Sequence, residues 1–303
     1  MPNIQIIERE MTGVEFARYT EARNAFVLST GNPVQTREEY NFVALDGDAY
    51  AGSATGYVYK NGLTYNNWMY LYNLYLERPY RKLGLGAVLL RTLEDRVAEL
   101  GITDIWTHTV SYEAPGFYQK QGYHIFHQRE KRYGGHSEVF LRKTLPNRHV
   151  LPTRCYSEAI RLLERPMTEA ELARTNAGFD EHTREHAAPV QRSERHSFMA
   201  FDGEQQIGYV SGLARNEGQR YNRWFFLTDI FVFEVYRGQG LGSAMLQQIE
   251  AKAVSLGCTE MTTEIADFEA RSFFARHHFT WSFEFEHWYL HGDSRISLYK
   301  PLE

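Results

Sequence analysis

The fold of this chain is predicted chiefly from two short stretches, RKLGLG at residues 81–86 and RGQGLG at residues 237–242. Each follows an aromatic-rich apolar run that predicts a strand. Each also precedes apolar residues at helical spacing, which in the first case predict a helix over residues 85–100. Glycine permits positive φ and close backbone approach, and the free N–H groups at a helix start bind anions. The two turns therefore predict sites for a phosphate or pyrophosphate.

Other interpretations of the turns fit less well. A turn that merely needs glycine remains possible for one copy, but its recurrence in the same strand–turn–helix context argues against it. Neither stretch contains the sequence GK[ST], the glycine, lysine and hydroxyl residue that end a Walker A loop. The dinucleotide fingerprint requires a small third residue where this chain has Leu89 and Met245.

The whole sequence repeats itself. When it is shifted so that Glu8 falls on Glu164, about 36 of the 116 positions from residue 8 to residue 123 are identical without a gap. A period this long is a duplicated domain rather than a solenoid repeat. Two prolines flank a polar stretch between the copies, which is typical of a linker. We therefore expect α/β domains at residues 1–145 and 158–303, joined by a linker at residues 146–157.

Composition limits the function further. The chain has 303 residues, a formal net charge of -5 and two cysteines. A general nucleic-acid binder would need a basic surface, and a disulfide scaffold would need more cysteines. No apolar run approaches the roughly 18 residues of a membrane span. The sequence favours a cytoplasmic protein that binds neither nucleic acid nor membrane.

The turns resemble the acetyl-CoA-binding motif of the GNAT superfamily of N-acetyltransferases. A second family motif is similar to APGFYQKQGY at residues 114–123, and its counterpart is ARSFFARHHF at residues 270–279. The resemblance covers nearly all of both copies. It implies two tandem GNAT domains, each a mixed, strongly twisted sheet of about six or seven strands flanked by helices.

The resemblance also implies a cofactor site in each copy, with acetyl-CoA as cosubstrate and no metal. The turn amides would hold the pyrophosphate, and the preceding strand would bind the pantetheine arm and the acetyl carbonyl. The implied residues are Leu74, Leu76, Arg81, Lys82, Gly84, Leu85, Gly86 and Ala87 in the first copy, and Ile230, Val232, Arg237, Gly238, Gln239, Gly240, Leu241, Gly242 and Ser243 in the second.

Tyr118 matches the family tyrosine that protonates the leaving thiolate; the alternative is a packed aromatic residue. The second copy departs from the pattern, because Phe274 cannot donate a proton and His278 replaces a glycine. That copy could bind acetyl-CoA without turnover, use another acid or serve as a scaffold. We expect one active site, in the N-terminal copy.

The general base is left open by the sequence. Many relatives have a glutamate where this chain has Tyr70 and Phe226, and neither side chain is a base near pH 7. His108 has a suitable intrinsic pKa, and Glu264 occupies the same position in the second copy. A structural role for either residue, or a water relay, is the alternative.

The leading hypothesis is an acetyltransferase that acts on a primary amine, either of a small molecule or of a protein, by direct attack. A non-catalytic acyl-CoA-binding or scaffold protein, or an enzyme with another acyl donor, is the alternative. His182 and His186 lie four residues apart, but without further zinc ligands they predict a solvated helix face. We expect a monomer with two pseudo-dimeric domains or a homodimer.

Overall fold

The computed structural model describes residues 4–146 and 159–303. These residues form two compact units. We call Gln35–Pro189 the N unit, because it contains the first phosphate turn, and residues 4–34 with Val190–Glu303 the C unit, which contains the second. Except for Pro146, the predicted linker lies outside the described residues.

The two copies have the same order of elements. The first contains β1 Ile4–Glu8, α1 Gly13–Ser29, β2 Gln35–Asp46, β3 Ala49–Asn61, β4 Thr64–Leu76, α2 Leu85–Ala98, β5 Asp104–Val110, α3 Pro115–Lys120, β6 His124–Tyr133 and β7 His136–Thr144. The second contains β8 Ile160–Glu164, α4 Glu169–Glu185, β9 Arg192–Asp202, β10 Gln205–Asn216, β11 Tyr221–Val232, α5 Leu241–Ser255, β12 Glu260–Ala266, α6 Arg271–Arg276, β13 Thr280–Phe285 and β14 Arg295–Pro301.

Each unit is built on one mixed seven-stranded sheet, which confirms the predicted α/β fold class. The order is β6-β7-β5-β4-β3-β2-β8 in the N unit and β1-β9-β10-β11-β12-β14-β13 in the C unit. In the N unit, α2 buries Leu85, Leu89, Leu93 and Val97 completely against one face of the sheet. This apolar stripe is the helical period that the sequence displays. The phosphate turn before α2 is thereby fixed to the sheet.

The division predicted from the repeat is sequential, whereas the compact units exchange their first segments. Strand β1 pairs antiparallel with β9 of the second copy, and β8 pairs with β2 of the first. Helix α1 follows β1 into the C unit, and α4 follows β8 into the N unit. Each unit therefore combines residues from both sequence repeats, so residues 1–145 do not form one unit by themselves.

Side-chain size gives a physical reason for this exchange. In the N unit, a Cβ atom on Gly178 of α4 would lie 2.2 Å from the Tyr75 hydroxyl oxygen. The first copy has Ala22 at the corresponding position, so α1 would not fit there without displacing Tyr75. In the C unit, Tyr19 of α1 packs with its ring centroid 5.5 Å from that of Phe231.

The same ion pair begins the exchanged helix in both units. Arg9 binds Glu15 at 2.6 Å and Arg165 binds Glu171 at 2.7 Å; each glutamate also closes a capping box. The arginine hydrogen bond is the largest effect that lowers the pKa of each carboxyl to about 2. The depressed pKa means that each pair stabilises the fold most above the unfolded glutamate pKa near 4.5.

We expect this stabilisation to be lost as the pH falls from about 4.5 toward about 2. After allowance for solvent screening, each pair contributes about 1–2 kcal/mol. Glu15→Gln and Glu171→Gln should therefore each lose less unfolding free energy than the wild type between about pH 5 and about pH 3 in urea titrations. Identical losses in the variants and the wild type would contradict the prediction.

Candidate functional site

Both phosphate turns have the backbone conformation that their glycines predict. Gly84 caps α2 with φ +94°, and Gly240 caps α5 with φ +84°. Two residues earlier, Lys82 has φ +62° and Gly238 has φ +74°. A side chain rarely adopts these left-handed values, so Lys82 holds a strained conformation where the second copy uses glycine. The first N–H groups of both helices are left without helical partners.

The arginine that both copies share anchors each turn to the preceding strand. Arg81 donates from Nε to the Leu76 carbonyl at 2.9 Å. Arg237 donates in the same way to Val232 at 2.9 Å. This bond uses only one of the guanidinium donors, and the remaining N–H groups can bind a phosphate.

The other predicted turn residues differ in what they can offer a ligand. Leu85 and Leu241 are buried in the two cores, so they can offer a ligand only their backbone. Ala87 and Ser243 lie half-buried on the first helical turn, where the Ser243 hydroxyl is 2.8 Å from His277 Nε2. Gln239 donates to the Val235 carbonyl.

The helix start packs against the aromatic residue of the second motif in both copies. A Cβ atom on Gly86 would lie 3.7 Å from the Phe117 ring, and one on Gly242 would lie 3.3 Å from the Phe273 ring. The two sequence motifs of each copy are therefore in contact at the N-terminus of the helix.

A gap opens in each sheet beside the turn. Parallel pairing joins residues 68–70 of β4 to residues 104–106 of β5. Beyond it, β4 continues to Leu76 paired with β3, and β5 continues to Val110 paired with β7. The predicted residues Leu74 and Leu76 lie on this divergent part of β4. In the C unit, β11 and β12 pair over residues 224–227 and 260–263, and Ile230 and Val232 lie beyond that pairing.

A β-bulge marks the start of each gap. Thr55 pairs with Asn73 while its neighbour Gly56 pairs with Leu71, so Tyr72 is the extra residue in β4. The equivalent extra residue in β11 is Thr228. A bulge locally turns the backbone away from ladder pairing, which leaves main-chain groups of the next residues available at the gap.

The two predicted catalytic residues lie on opposite faces of the N-unit sheet at this gap. Tyr118 belongs to the core on the α2 side, where its phenol lies close to the Thr107 side chain. His108 is the next residue of β5, so its side chain points to the other face, where it packs with Tyr70 and Phe140.

The Tyr118 phenol is held neutral. Burial raises its pKa well above the ordinary value for tyrosine, and the nearby Glu113 carboxylate adds to this effect. The Thr107 hydroxyl in turn donates to the Leu71 carbonyl at 2.9 Å. This contact places Tyr118 directly beside the end of the paired part of β4, and its hydroxyl is a proton donor over the whole physiological pH range.

His108 takes part in a contact that the sequence did not reveal. Its Nε2 lies 2.7 Å from the Tyr70 hydroxyl, and its Nδ1 lies 3.4 Å from a carboxylate oxygen of Glu138. Nothing in the sequence pairs Tyr70 with His108 or predicts that Glu138 joins them. A glutamate within the apolar strand run EVFL is the signal that could have identified it.

The C unit contains a cavity of about 630 Å³ at the equivalent position. It is lined by the phosphate turn, by the divergent part of β11 and by Tyr19, Arg23 and Phe26 of the exchanged helix α1. The Tyr19 hydroxyl donates to Asp229 at 2.8 Å, and burial raises the pKa of Glu269 on another wall. The α1 residues could not be assigned to this cavity from the sequence, because they belong to the first repeat.

The groups of the N-unit site are replaced in this cavity. Phe274 stands at the Tyr118 position and is buried. His278 holds φ +65°, the strained conformation for which the matching Gly122 is suited. Glu264, at the His108 position, forms an ion pair with Arg295 at 2.5 Å.

The histidine pair of α4 is only partly solvated. His186 is exposed, but its ring stacks on Tyr112 at 4.9 Å, and His182 is half-buried 6.2 Å from the same ring. Within residues 4–146 and 159–303, no cluster of three metal-ligating side chains occurs. None of the helices in these ranges is both long and apolar enough to cross a membrane.

Comparisons with known proteins agree with this geometry. The family model described as the acetyltransferase (GNAT) family matches residues 5–123 and 159–279. The uncharacterized protein YyaT of Bacillus subtilis (strain 168) is 37% identical over 83 residues, which are 27% of this chain and 47% of YyaT, so the chain spans about half the length of that relative.

Two similar solved structures are described as acetyltransferases. An acetyltransferase from Bacillus cereus ATCC 14579 is 22% identical, with 45% of this chain and 96% of that chain covered and a TM-score of 0.37. The yncA structure from Salmonella typhimurium, which contains its cofactor acetyl-CoA, is 15% identical, with 41% of this chain and 70% of that chain covered and a TM-score of 0.31.

Proposed function

Because the chain belongs to the GNAT family of acetyltransferases, we propose that it is an acetyl-CoA-dependent N-acetyltransferase. It transfers the acetyl group to a primary amine by direct attack, and the N unit is its catalytic part. One observation carries this proposal: an acid and a candidate base, Tyr118 and His108, flank one gap in the sheet from opposite faces.

The residues around the gap suit the cosubstrate. The turn at residues 81–87 offers free N–H groups and a helix dipole for the pyrophosphate. Main-chain groups of Leu74 and Leu76, on the divergent part of β4, bind the pantetheine arm. An N–H group after the bulge at Tyr72 stabilises the negative charge that develops on the acetyl oxygen.

Transfer then follows from the placement of the two side chains. The amine nitrogen attacks the thioester carbonyl from the face of His108, which receives the amine proton. The C–S bond breaks, and the thiolate takes a proton from Tyr118 on the opposite face. The protons and charges balance, since the amine gives up a proton and the thiolate gains one.

The C unit binds acetyl-CoA without turnover in this proposal. Its turn at residues 237–243 has the same conformation as the first, but Phe274 has no proton to give. The two tyrosines that line its cavity, Tyr19 and Tyr236, donate to Asp229 and Asp202. We also propose a cytoplasmic location, where acetyl-CoA is available, and either a monomer or a homodimer as the assembly.

An acceptor screen tests the proposed activity. The full chain is incubated with acetyl-CoA and a panel of polyamines, aminoglycosides, amino-acid derivatives and lysine peptides, and both thiol release and the mass of each acceptor are measured. Thiol release matched by a gain of one acetyl group on an amine is expected. Tight binding of acetyl-CoA with no release for any acceptor would instead establish the non-catalytic alternative, and faster release from propionyl- or butyryl-CoA would identify another donor.

A further inference from the structure

Three side chains on the acceptor face of the N unit form a continuous polar chain. The Tyr70 hydroxyl lies 2.7 Å from His108 Nε2, and His108 Nδ1 lies 3.4 Å from Glu138 Oε1. The tyrosine and histidine rings are nearly parallel, with an interplanar angle of 16°. A carboxylate beside Nδ1 favours the tautomer with its proton there, so that Nε2 accepts from the tyrosine.

Glu138, at the inner end of this row of three polar side chains, is a buried anion. The Glu138 side chain is 3% exposed, and its other oxygen lies 3.1 Å from Arg132 and 3.4 Å from Arg129. These arginines favour the ionised carboxylate. His127 packs on the same phenylalanine as His108, and burial lowers its pKa to about 4, so it adds no positive charge near pH 7.

Tyr70, at the outer end of this row of side chains, lies at the gap between β4 and β5. Tyr70 is the last residue of β4 that pairs with β5, two residues before the bulge. Its ring stacks on Trp106 with centroids 4.2 Å apart, which fixes the direction of the hydroxyl. The phenol oxygen is therefore held where the divergence of the two strands begins.

The C unit has a different set at the same three positions. Phe226 replaces the tyrosine, Glu264 replaces the histidine and Arg295 replaces the glutamate. The last two form a direct ion pair, and this set contains neither a phenol nor an imidazole. The chain of proton-carrying groups is thus a property of the N unit, the one that also has Tyr118.

We propose that Tyr70, His108 and Glu138 form a proton relay that deprotonates the acceptor amine. The amine proton moves to the Tyr70 oxygen as the Tyr70 proton moves to His108 Nε2, and Glu138 stabilises the resulting imidazolium. His108 then releases the proton to water, since its side chain is 28% exposed. This relay rests on the proposed function, and it makes Tyr70 the residue that contacts the amine, with His108 behind it and Glu138 as a positioning residue.

The first test needs no activity. Nitrogen chemical shifts of the histidine rings in the full chain, with His108→Gln used to assign the signal, report which nitrogen carries the proton. The relay requires neutral His108 to be protonated on Nδ1. Protonation on Nε2 would overturn the relay, because His108 could then not accept the Tyr70 proton at that nitrogen.

The second test separates a base from a structural residue. Tyr70→Phe should lower kcat/KM at pH 7 by about 10- to 100-fold for a strongly basic amine. Its defect should disappear above the pKa of the amine, about 10, because the amine is then neutral without assistance. Tyr57→Phe, whose ring lies 6.3 Å from that of Tyr70, should keep the wild-type pH profile.

The outcomes distinguish this relay from the proposed function. If the wild type acetylates amines and its pH profile is the same as that of Tyr70→Phe, the relay is wrong but the proposed function stands. A loss of activity that is equally large at every pH would also overturn it, since it would indicate a structural effect. Failure of the wild type to acetylate any amine would overturn the proposed function.

Discussion

Tyr118→Phe is expected to lower kcat for amine acetylation by about 10²- to 10⁴-fold while acetyl-CoA affinity changes by less than about 2-fold. The substitution removes only the hydroxyl, which lies near Thr107 at the gap. The ring would keep its contacts with Phe117 and Tyr123, whose centroids lie 5.3 and 5.6 Å away. The thiolate would then leave without a proton donor. Steady-state kinetics and calorimetric titration of CoA measure the two quantities.

Tyr123→Phe is the matched control. Its ring lies in the same core, but its hydroxyl donates to Glu94 at 2.9 Å rather than to a residue at the gap. We expect it to lower stability more than kcat. If both variants retained wild-type kcat, Tyr118 would be a packed aromatic residue only, and the proton would reach the thiolate by another path.

The second large effect concerns the number of cofactor sites. The wild type should bind two CoA molecules per chain, and Ala87→Asp or Ser243→Asp should each reduce this number to one. The new carboxylate would lie on the first turn of α2 or α5, where a helix tolerates negative charge well but a pyrophosphate would be repelled. Ala87→Asn and Ser243→Asn are controls of the same shape without the charge.

Two further variants block the turns by size. Gly86→Trp would overlap Leu76 and Phe117, and Gly242→Trp would overlap Phe273 and Val232. Each should remove the site of its own unit in isothermal titration, and thermal melting shows whether the unit is still folded. A folded variant of either turn with unchanged stoichiometry would refute the site in that unit.

Much of the local structure is readable from the sequence because it depends on residues close together in the chain. The apolar period of residues 85–100 predicts the helix observed as α2. The glycines at the two turns predict positive φ, which Gly84 and Gly240 adopt. The contact between the two motifs at Gly86 and Phe117 is seen only in the folded chain.

The candidate site is partly readable in the same way. Strand alternation predicts that the consecutive residues Thr107 and His108 lie on opposite faces of the sheet. The sequence could not show that Tyr70, His108 and Glu138 are in contact. Their positions are far apart in the chain, and their contact depends on the registers of β5 with β4 and with β7. The reason for glycine at residue 178 likewise becomes clear only in the structure, where Tyr75 packs directly against it.

Helix periodicity, glycine conformation and repeat identity can all be recognised in the amino-acid sequence, and together they establish that a phosphate turn and its helix occur twice. Which first segment completes which sheet is evident only from the folded chain. The segments containing Thr12 and Thr168 have the same capping boxes, so local energetics cannot distinguish them. The choice depends on long-range packing: bulky Tyr19 packs against Phe231 beside Asp229, while Gly178 makes room for Tyr75.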